Sequence, residues 1–541
     1  MKSEIYTRLL KLTSCPSITE TQGEQDMAIG IYEMLRENPY FQSHPDHLLL
    51  HSIEKYNLYG VMALLKHPKS TNKTVILISH FDVVGVEEFG FLKDYAFDAE
   101  AYTEKLKEVK LPPEVQEDLH SGQWLFGRGT MDMKCGLAIH MELLKHYSSN
   151  FEALDCNLLL LTVPDEEGNS KGMLGCAPKL AEWAAQYELD YQVVINTEPF
   201  FPLYTGDTRK YLYTGSVGKL LPMFFCVGKE THVGEPYSGF NPNLILSEIH
   251  RLLEVNPEYC EKLGDFVSPP PTCLKHKDLK DAYSVQIPRT AVAYYNWIVL
   301  QDGPEAVLEK MKKIAYDAAA TVLKERQDRL TQFKQLSSYR IKDSKWQIDV
   351  KTFAEVFQIV LDTHGNHFQH HLDHQISQWM ASGIRDEREL TIRIVDETYS
   401  YYPDKNPLII LLFAPPYYPS ALNENNTEKE KKVLQEIQDL IQYSKDQFGV
   451  EFFCCPTFPG LSDNSYFGIK NGTKITEALK PNMPVWGISY DLPAEALEQL
   501  NVPVINIGVL GKDAHKYTER LHLPFSLEVT PKLLMYYLER L

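Results

Sequence analysis

The sequence predicts an α/β fold, a mostly parallel sheet with flanking helices, interrupted by a smaller α+β unit. Continuous apolar runs at 75–78, 158–163, 193–195, 408–413 and 504–510 read as strands buried on both faces. Helical patterns lie between them. From about 211 to 348 the texture changes, and strands and helices there fit a separate inserted unit.

Taken in order, Met27, Ile31, Met34 and Leu35 recur at helical spacing, and the run 75–78 follows as a strand. The stretch 86–123 is charged and carries Pro112-Pro113, so it reads as an insertion. Leu137, Met141 and Leu144 mark a helix whose start lies near Asp132. Strands at 158–163 and 193–195 come next. In the middle, 211–227 reads as one strand, 244–253 as a helix after Asn241-Pro242-Asn243, 291–300 as a second strand, and 303–335 as a long helix. Three segments result: 1–211, the first part of the α/β domain; 212–348, the insertion; and 349–541, the second part of that domain, with boundaries good to about ten residues.

Composition bounds the function. A chain of 541 residues is long enough for two to four domains of roughly 150 residues each. With 54 basic and 73 acidic side chains, the net charge of −19 argues against binding nucleic acid or an anionic membrane surface. No apolar run approaches the roughly 18 residues of a spanning helix. The first residues are polar and lack the apolar stretch of a secretory signal, and nine cysteines, an odd number, do not suggest a disulfide framework. A soluble cytoplasmic protein is expected.

Open α/β sheets bind ligands at the carboxyl ends of their strands. There the chain places His80-Phe81-Asp82, then Asp165-Glu166-Glu167-Gly168, then Glu198-Pro199, and Gly511-Lys512-Asp513-Ala514-His515. A further acid, Asp132, sits in Gly127-Arg128-Gly129-Thr130-Met131-Asp132-Met133-Lys134. Imidazole and carboxylate together suit zinc, and one carboxylate can bridge two metals about 3.5–4 Å apart. Asp82 is placed to orient His80. Adjacent Glu166 and Glu167 leave one carboxylate for metal and one for proton transfer. Each signal alone has a bland explanation, such as a helix cap for Asp132 or a solvated loop for Glu166-Glu167. Together, after successive strands, they are specific.

These residues resemble the zinc-dependent exopeptidase and amidohydrolase family of glutamate carboxypeptidase, aminoacylase, acetylornithine deacetylase and succinyl-diaminopimelate desuccinylase, and within it the RocB arginine-utilisation branch. The resemblance implies the zinc-exopeptidase fold with an inserted ferredoxin-like lid. It implies two divalent metals, zinc first and cobalt or manganese as alternatives, with Asp132 bridging. His80 and Glu198 would complete one site, and Glu167 and His515 the other. Glu166 would be the general base and Asp82 the orienter. In the lid, His232, Pro236, Gly239 and Asn241 match the family's His-x-x-x-Pro-x-x-Gly-x-Asn wording. The resemblance gives His232 the substrate oxyanion, in relatives often across a homodimer formed through the lid.

Many relatives carry an arginine where Asn296-Trp297-Ile298 stands here, so substrate does not transfer by analogy. His364, His367, His370, His371 and His374 have metal-like i,i+4 spacing but read better as a polar helix. Cys454-Cys455 read as buried strand thiols, Ser462-Asp463 as pocket-lining, and Glu519 as a supporting or substrate group. The expected activity is hydrolysis of an amide bond in a small amino-acid-derived substrate. The metals would polarise the carbonyl while Glu166 moves the proton. A dipeptidase or aminopeptidase with the same site, or a non-catalytic metal-binding scaffold, are the competing functions.

Overall fold

The computed structural model describes residues 1–204, 206–337, 341 and 345–541. Four of the apolar runs become the centre of an eight-stranded sheet. Asn157–Val163, Lys73–His80, Asp190–Asn196 and Val504–Asn506 lie side by side in that order, all parallel. Their side chains are almost entirely buried, which is why they lack polar alternation. Each Leu, Ile or Val so buried contributes about 1.5–3 kcal/mol. Antiparallel Leu58–Leu65 and Leu48–Ile53 extend one edge; Lys210–Tyr213 and Phe452–Cys455 extend the other.

The chain divides into two compact units, one of Met1–Val217, Ser420–Lys470 and Glu495–Leu541, the other of Gly218–Pro419 and Asn471–Ala494. The second unit holds a five-stranded sheet in the order Thr272–Asp278, Thr290–Val299, Gly218–Val227, Leu408–Tyr418, Asp349–Thr352. With the helices Pro242–Leu253 and Pro304–Leu336, its first four strands follow the β-α-β-β-α-β sequence of a ferredoxin-like unit. The run 408–413 thus belongs to this sheet, where Leu408–Tyr418 pairs antiparallel with Gly218–Val227. The boundary expected at 348 falls too early, because the chain makes the helices Phe353–His364, Asn366–Ala381 and Glu387–Ser400 before it returns with that strand.

Two smaller expectations also change. The single strand expected over 211–227 is three, Lys210–Tyr213, Gly215–Ser216 and Gly218–Val227, and the first and last lie in different sheets. A side chain at Gly215 would collide with the carbonyls of Pro456 and Ala421, 2.5 and 2.6 Å from where its Cβ would sit. Asp132 does not begin a helix. Its backbone is extended, and the helix runs Cys135–Tyr147.

The insertion 86–123 is folded. Its short helices Glu87–Tyr95, Ala99–Leu106 and Pro113–His120 bury Phe89, Leu92, Tyr102, Leu106, Val115 and Leu119 in an apolar cluster shared with Trp124 and Phe126.

Candidate metal centre

The carboxyl ends of the parallel strands bring the expected ligands together within the first unit. His80 closes Lys73–His80, Glu166 and Glu167 follow Asn157–Val163, and Glu198 follows Asp190–Asn196. His80 Nε2 lies 3.3 Å from Asp132 Oδ1 and 3.3 Å from Glu198 Oε1. His515 Nε2 lies 3.2 Å from Asp132 Oδ2 and 3.0 Å from Glu167 Oε1. Asp132 therefore turns one oxygen to each histidine. Two donor trios result, His80–Asp132–Glu198 and Asp132–Glu167–His515, the donor atoms of each lying within 4.8 Å of one another. Two close approaches permit this packing. Gly508 is one, since a Cβ there would stand 2.3 Å from the Glu198 carbonyl. The other is Gly136, 2.7 Å in the same sense from the Thr197 carbonyl.

Asp82 does more than orient an imidazole. His80 Nδ1 donates to the Asp82 backbone carbonyl at 3.1 Å, closer than the carboxylate at 3.5 Å. The carboxylate instead accepts the backbone N–H groups of Glu166 and Glu167, at 3.1 and 3.2 Å, and the Thr19 hydroxyl at 3.0 Å. It thereby pins the turn that carries both glutamates. Glu24 supports that turn from below, accepting the Asp165 N–H at 2.9 Å.

The electrostatics are those of a cation site. Burial pushes the Glu198 carboxyl up to about 7, Asp132 and Glu167 adding to it and His80 opposing. Burial, then Asp132, raises Glu167. Glu166 is held well above the usual carboxylate range, first by burial and then by Glu198, Asp463 and Glu167, against His80. Asp132 goes the other way: burial is outweighed by hydrogen bonds from His515 and His80. His515 rises to about 10 through Asp132 and Glu167. Four carboxylates taken out of water at one spot are costly without compensating positive charge. The donor set of two imidazoles and three carboxylates fits divalent cations that accept nitrogen and oxygen.

Several supporting residues escape sequence reasoning. Arg128, fully buried, donates to Glu519 at 2.5 Å, to the His515 carbonyl at 3.2 Å and to Glu88 of the insertion. Glu519 in turn accepts the Met131 N–H at 3.4 Å, so the Arg128–Glu519 pair ties the backbones beside both Asp132 and His515. Arg520 joins Asp118 of the insertion to Asp513. The insertion is thus clamped onto the loop that presents His515. Only Glu519 carried a signal, its spacing from His515. Ser462 Oγ accepts from Asn196 Nδ2 at 2.9 Å, while Asp463 is buried beside the cluster, its carboxyl pushed up to about 8 by burial.

The remaining candidates lie elsewhere. His232 is exposed in the second unit, on the segment between Gly218–Val227 and Pro242–Leu253. Its Nδ1 accepts the Gly234 N–H at 3.1 Å. In the neutral ring this leaves the proton on Nε2, which is then a donor. Gly239 is required there, since a Cβ would lie 2.5 Å from the Lys229 carbonyl. The histidines of 364–374 do not converge: His364 bonds the Tyr401 carbonyl and His371 bonds Glu397. Cys454 and Cys455 do lie in a strand, Phe452–Cys455, but Cys454 is exposed rather than buried.

A model of peptidase family M20/M25/M40 matches residues 76–510. The chain belongs to that family, whose members are metal-dependent hydrolases. It is 39% identical over 540 residues to the uncharacterized protein YqjN of Bacillus subtilis strain 168, covering 99% of this chain and 96% of that one. To protein RocB of the same strain it is 32% identical over 528 residues, covering 97% and 92%. Among solved structures, the M20 family metallo-carboxypeptidase Sso-CP2 from Sulfolobus solfataricus superposes with a TM-score of 0.55 at 14% identity, covering 100% of this chain and 99% of that one. The di-peptidase Dug1p from Saccharomyces cerevisiae gives 0.51 at 13%, covering 99% and 95%. Both show the shared fold.

Proposed function

We propose that the chain hydrolyses an amide bond, peptide or N-acyl, in a small amino-acid derivative, using two divalent metals with Glu166 as general base. The observation that carries this is Asp132, with one oxygen toward His80 and the other toward His515, beside a largely buried glutamate, Glu166, that belongs to neither trio. His80, Asp132 and Glu198 would hold one cation, and Asp132, Glu167 and His515 the other; zinc suits these donors best, cobalt or manganese being the alternatives. When bound, such a pair polarises the scissile carbonyl and acidifies the attacking water.

Glu166 does the proton work. Its Oε2 stands 4.0 Å from His80 Nε2, within reach of the same space yet outside both donor trios. Asp82 fixes its backbone, and burial together with neighbouring carboxylates raises its proton affinity. A base so tuned takes a proton from water and returns it to the leaving amine. His232, with Nε2 as donor, is assigned the substrate oxyanion, in a homodimer joined through the lid. All nine cysteines are free, which supports a reduced, cytoplasmic setting. Among the described residues no helix is long and apolar enough to cross a membrane.

Glu166→Gln tests the mechanism. Turnover should fall about 10²–10⁴-fold with metal content unchanged. Glu167→Gln should lose metal together with activity. Full activity in Glu166→Gln would overturn the assignment. A role in arginine utilisation rests on the likeness to RocB, and a panel of N-acyl arginine, N-acyl ornithine, other N-acyl amino acids and dipeptides separates it from dipeptidase or aminopeptidase action. No turnover of any of them under zinc, cobalt or manganese would favour a scaffold.

A further inference from the structure

A second grouping of metal-type donors lies wholly within the second unit, on residues the reaction does not use. His250 is in the last turn of the helix Pro242–Leu253, and Glu254 follows one turn later, directly after its end. Across from them is Cys273, on the strand Thr272–Asp278. One atom from each of the three, an imidazole nitrogen, a carboxylate oxygen and the thiol sulfur, lies within 4.8 Å of the others. All three side chains are half-buried. We propose that His250, Glu254 and Cys273 form a separate binding site for a divalent cation of the zinc type.

The local backbone is arranged for it. The strand shifts register between Cys273 and Lys275, so that Cys273 pairs with Tyr295 and His276 with Ala293. Residues three apart normally face opposite sides of a strand; the extra residue brings Cys273 and His276 to the same side. His276 then packs edge-on against His250, ring centroids 5.4 Å apart, and walls one side of the site. The Tyr295 hydroxyl stands 3.5 Å from His250 Nδ1. Glu254 Oε2 accepts the Cys273 N–H at 2.7 Å, which fixes the carboxylate against the strand and leaves its other oxygen for a ligand. Such outer hydrogen bonds are what hold metal ligands in orientation.

The donor types select the cation. A thiolate with imidazole suits zinc or cobalt, whereas calcium and magnesium take oxygen alone. Burial, with Glu254 adding, raises the Cys273 thiol, and a bound cation would displace that proton. Thr272–Asp278 is the edge of its sheet. An ion here would fasten that edge to the helix beside it, a structural task distinct from hydrolysis.

A thiolate-to-cobalt(II) charge-transfer band reports on this site alone, because neither strand-end donor trio contains a thiolate. Protein stripped by chelator and reloaded with cobalt should show a thiolate-to-cobalt charge-transfer band in the near ultraviolet. In Asp132→Ala, with the strand-end centre disabled, one cobalt and the band should remain. Cys273→Ser should lose the band and one ion per chain while turnover stays within about twofold of wild type. Glu254→Gln, which keeps an acceptor for the Cys273 N–H, should also lose the band, and serves if Cys273→Ser does not fold. Asp132→Ala with no bound cobalt and no band would overturn the proposal, as would an unchanged band in Cys273→Ser or Glu254→Gln.

Discussion

His80 is buried, and its ring meets Asp132, Glu198 and the Asp82 carbonyl, each supplied by a different stretch of chain. His232 is exposed, and its ring is held by the N–H of Gly234, two residues along. The first histidine is placed by the ends of a parallel sheet; the second sits on an isolated bridge to Gln286, where Thr231 and Val233 pair with Ile287 and Val285, and only its ring is held by its own turn. Rigid strand ends fix several groups at once to the tolerance a shared ligand demands, while a local turn fixes only the direction of one donor. Changes at the strand ends should therefore strike metal and catalysis together. Changes at the lid loop should strike catalysis alone.

The sharpest way to break that contrast is Asp132→Ala. Removing the carboxylate common to both trios should release both ions and lower turnover beyond the about 10²–10⁴-fold of losing a general base. Elemental analysis checks it, and retention of two ions with measurable turnover would refute the bridging role. Next in size, His232→Ala should cost about 10²–10³-fold in kcat, the scale of one oxyanion donor, with metal content unchanged. Loss of metal in that variant would erase the distinction between the two regions.

The smallest effect concerns the packing behind the strand ends. His140 is buried against Thr197, its Nε2 2.8 Å from the hydroxyl, and burial lowers its pKa to about 3. The unfolded chain binds this proton near 6.5 and the folded chain does not. Stability is therefore unaffected above about pH 6.5 and declines as pH falls from there toward 3, by about 1.4 kcal/mol per pH unit. Denaturant titration of metal-free protein at pH 6.5 and 5.5 measures it. His140→Gln should remove this part of the acid dependence; an identical slope in both proteins would show that His140 does not contribute.

Asp132 was legible from the stretch Gly127–Lys134 around it. His80, Glu167, Glu198 and His515 were legible because each comes shortly after an apolar run, and such runs end at the rim where open sheets bind ligands. The same feature misled at Leu408–Tyr418. A strand buried on both faces reads alike in either sheet, so its apolar run could not reveal that it completes the second unit's sheet. The 211–227 segment differs: its apolar residues are interrupted at Thr214-Gly215-Ser216 and again at Gly218-Lys219, and there the chain leaves one sheet for another. Arg128 with Glu519 was out of reach, because an ion pair between positions 391 apart leaves no local periodicity. The His250–Glu254–Cys273 grouping depends on a register shift that alternation alone does not signal.

The order of the segments along the chain has a consequence for biosynthesis. His515 is encoded after both pieces of the second unit, Gly218–Pro419 and Asn471–Ala494, whereas His80, Asp132, Glu167 and Glu198 all precede them. On the ribosome the inserted unit therefore has its full complement of strands while the strand-end centre still lacks one histidine. Asp132 and Glu167 wait without His515 until translation passes residue 515. On the proposed assignment of His515, hydrolytic competence would be withheld from incomplete chains.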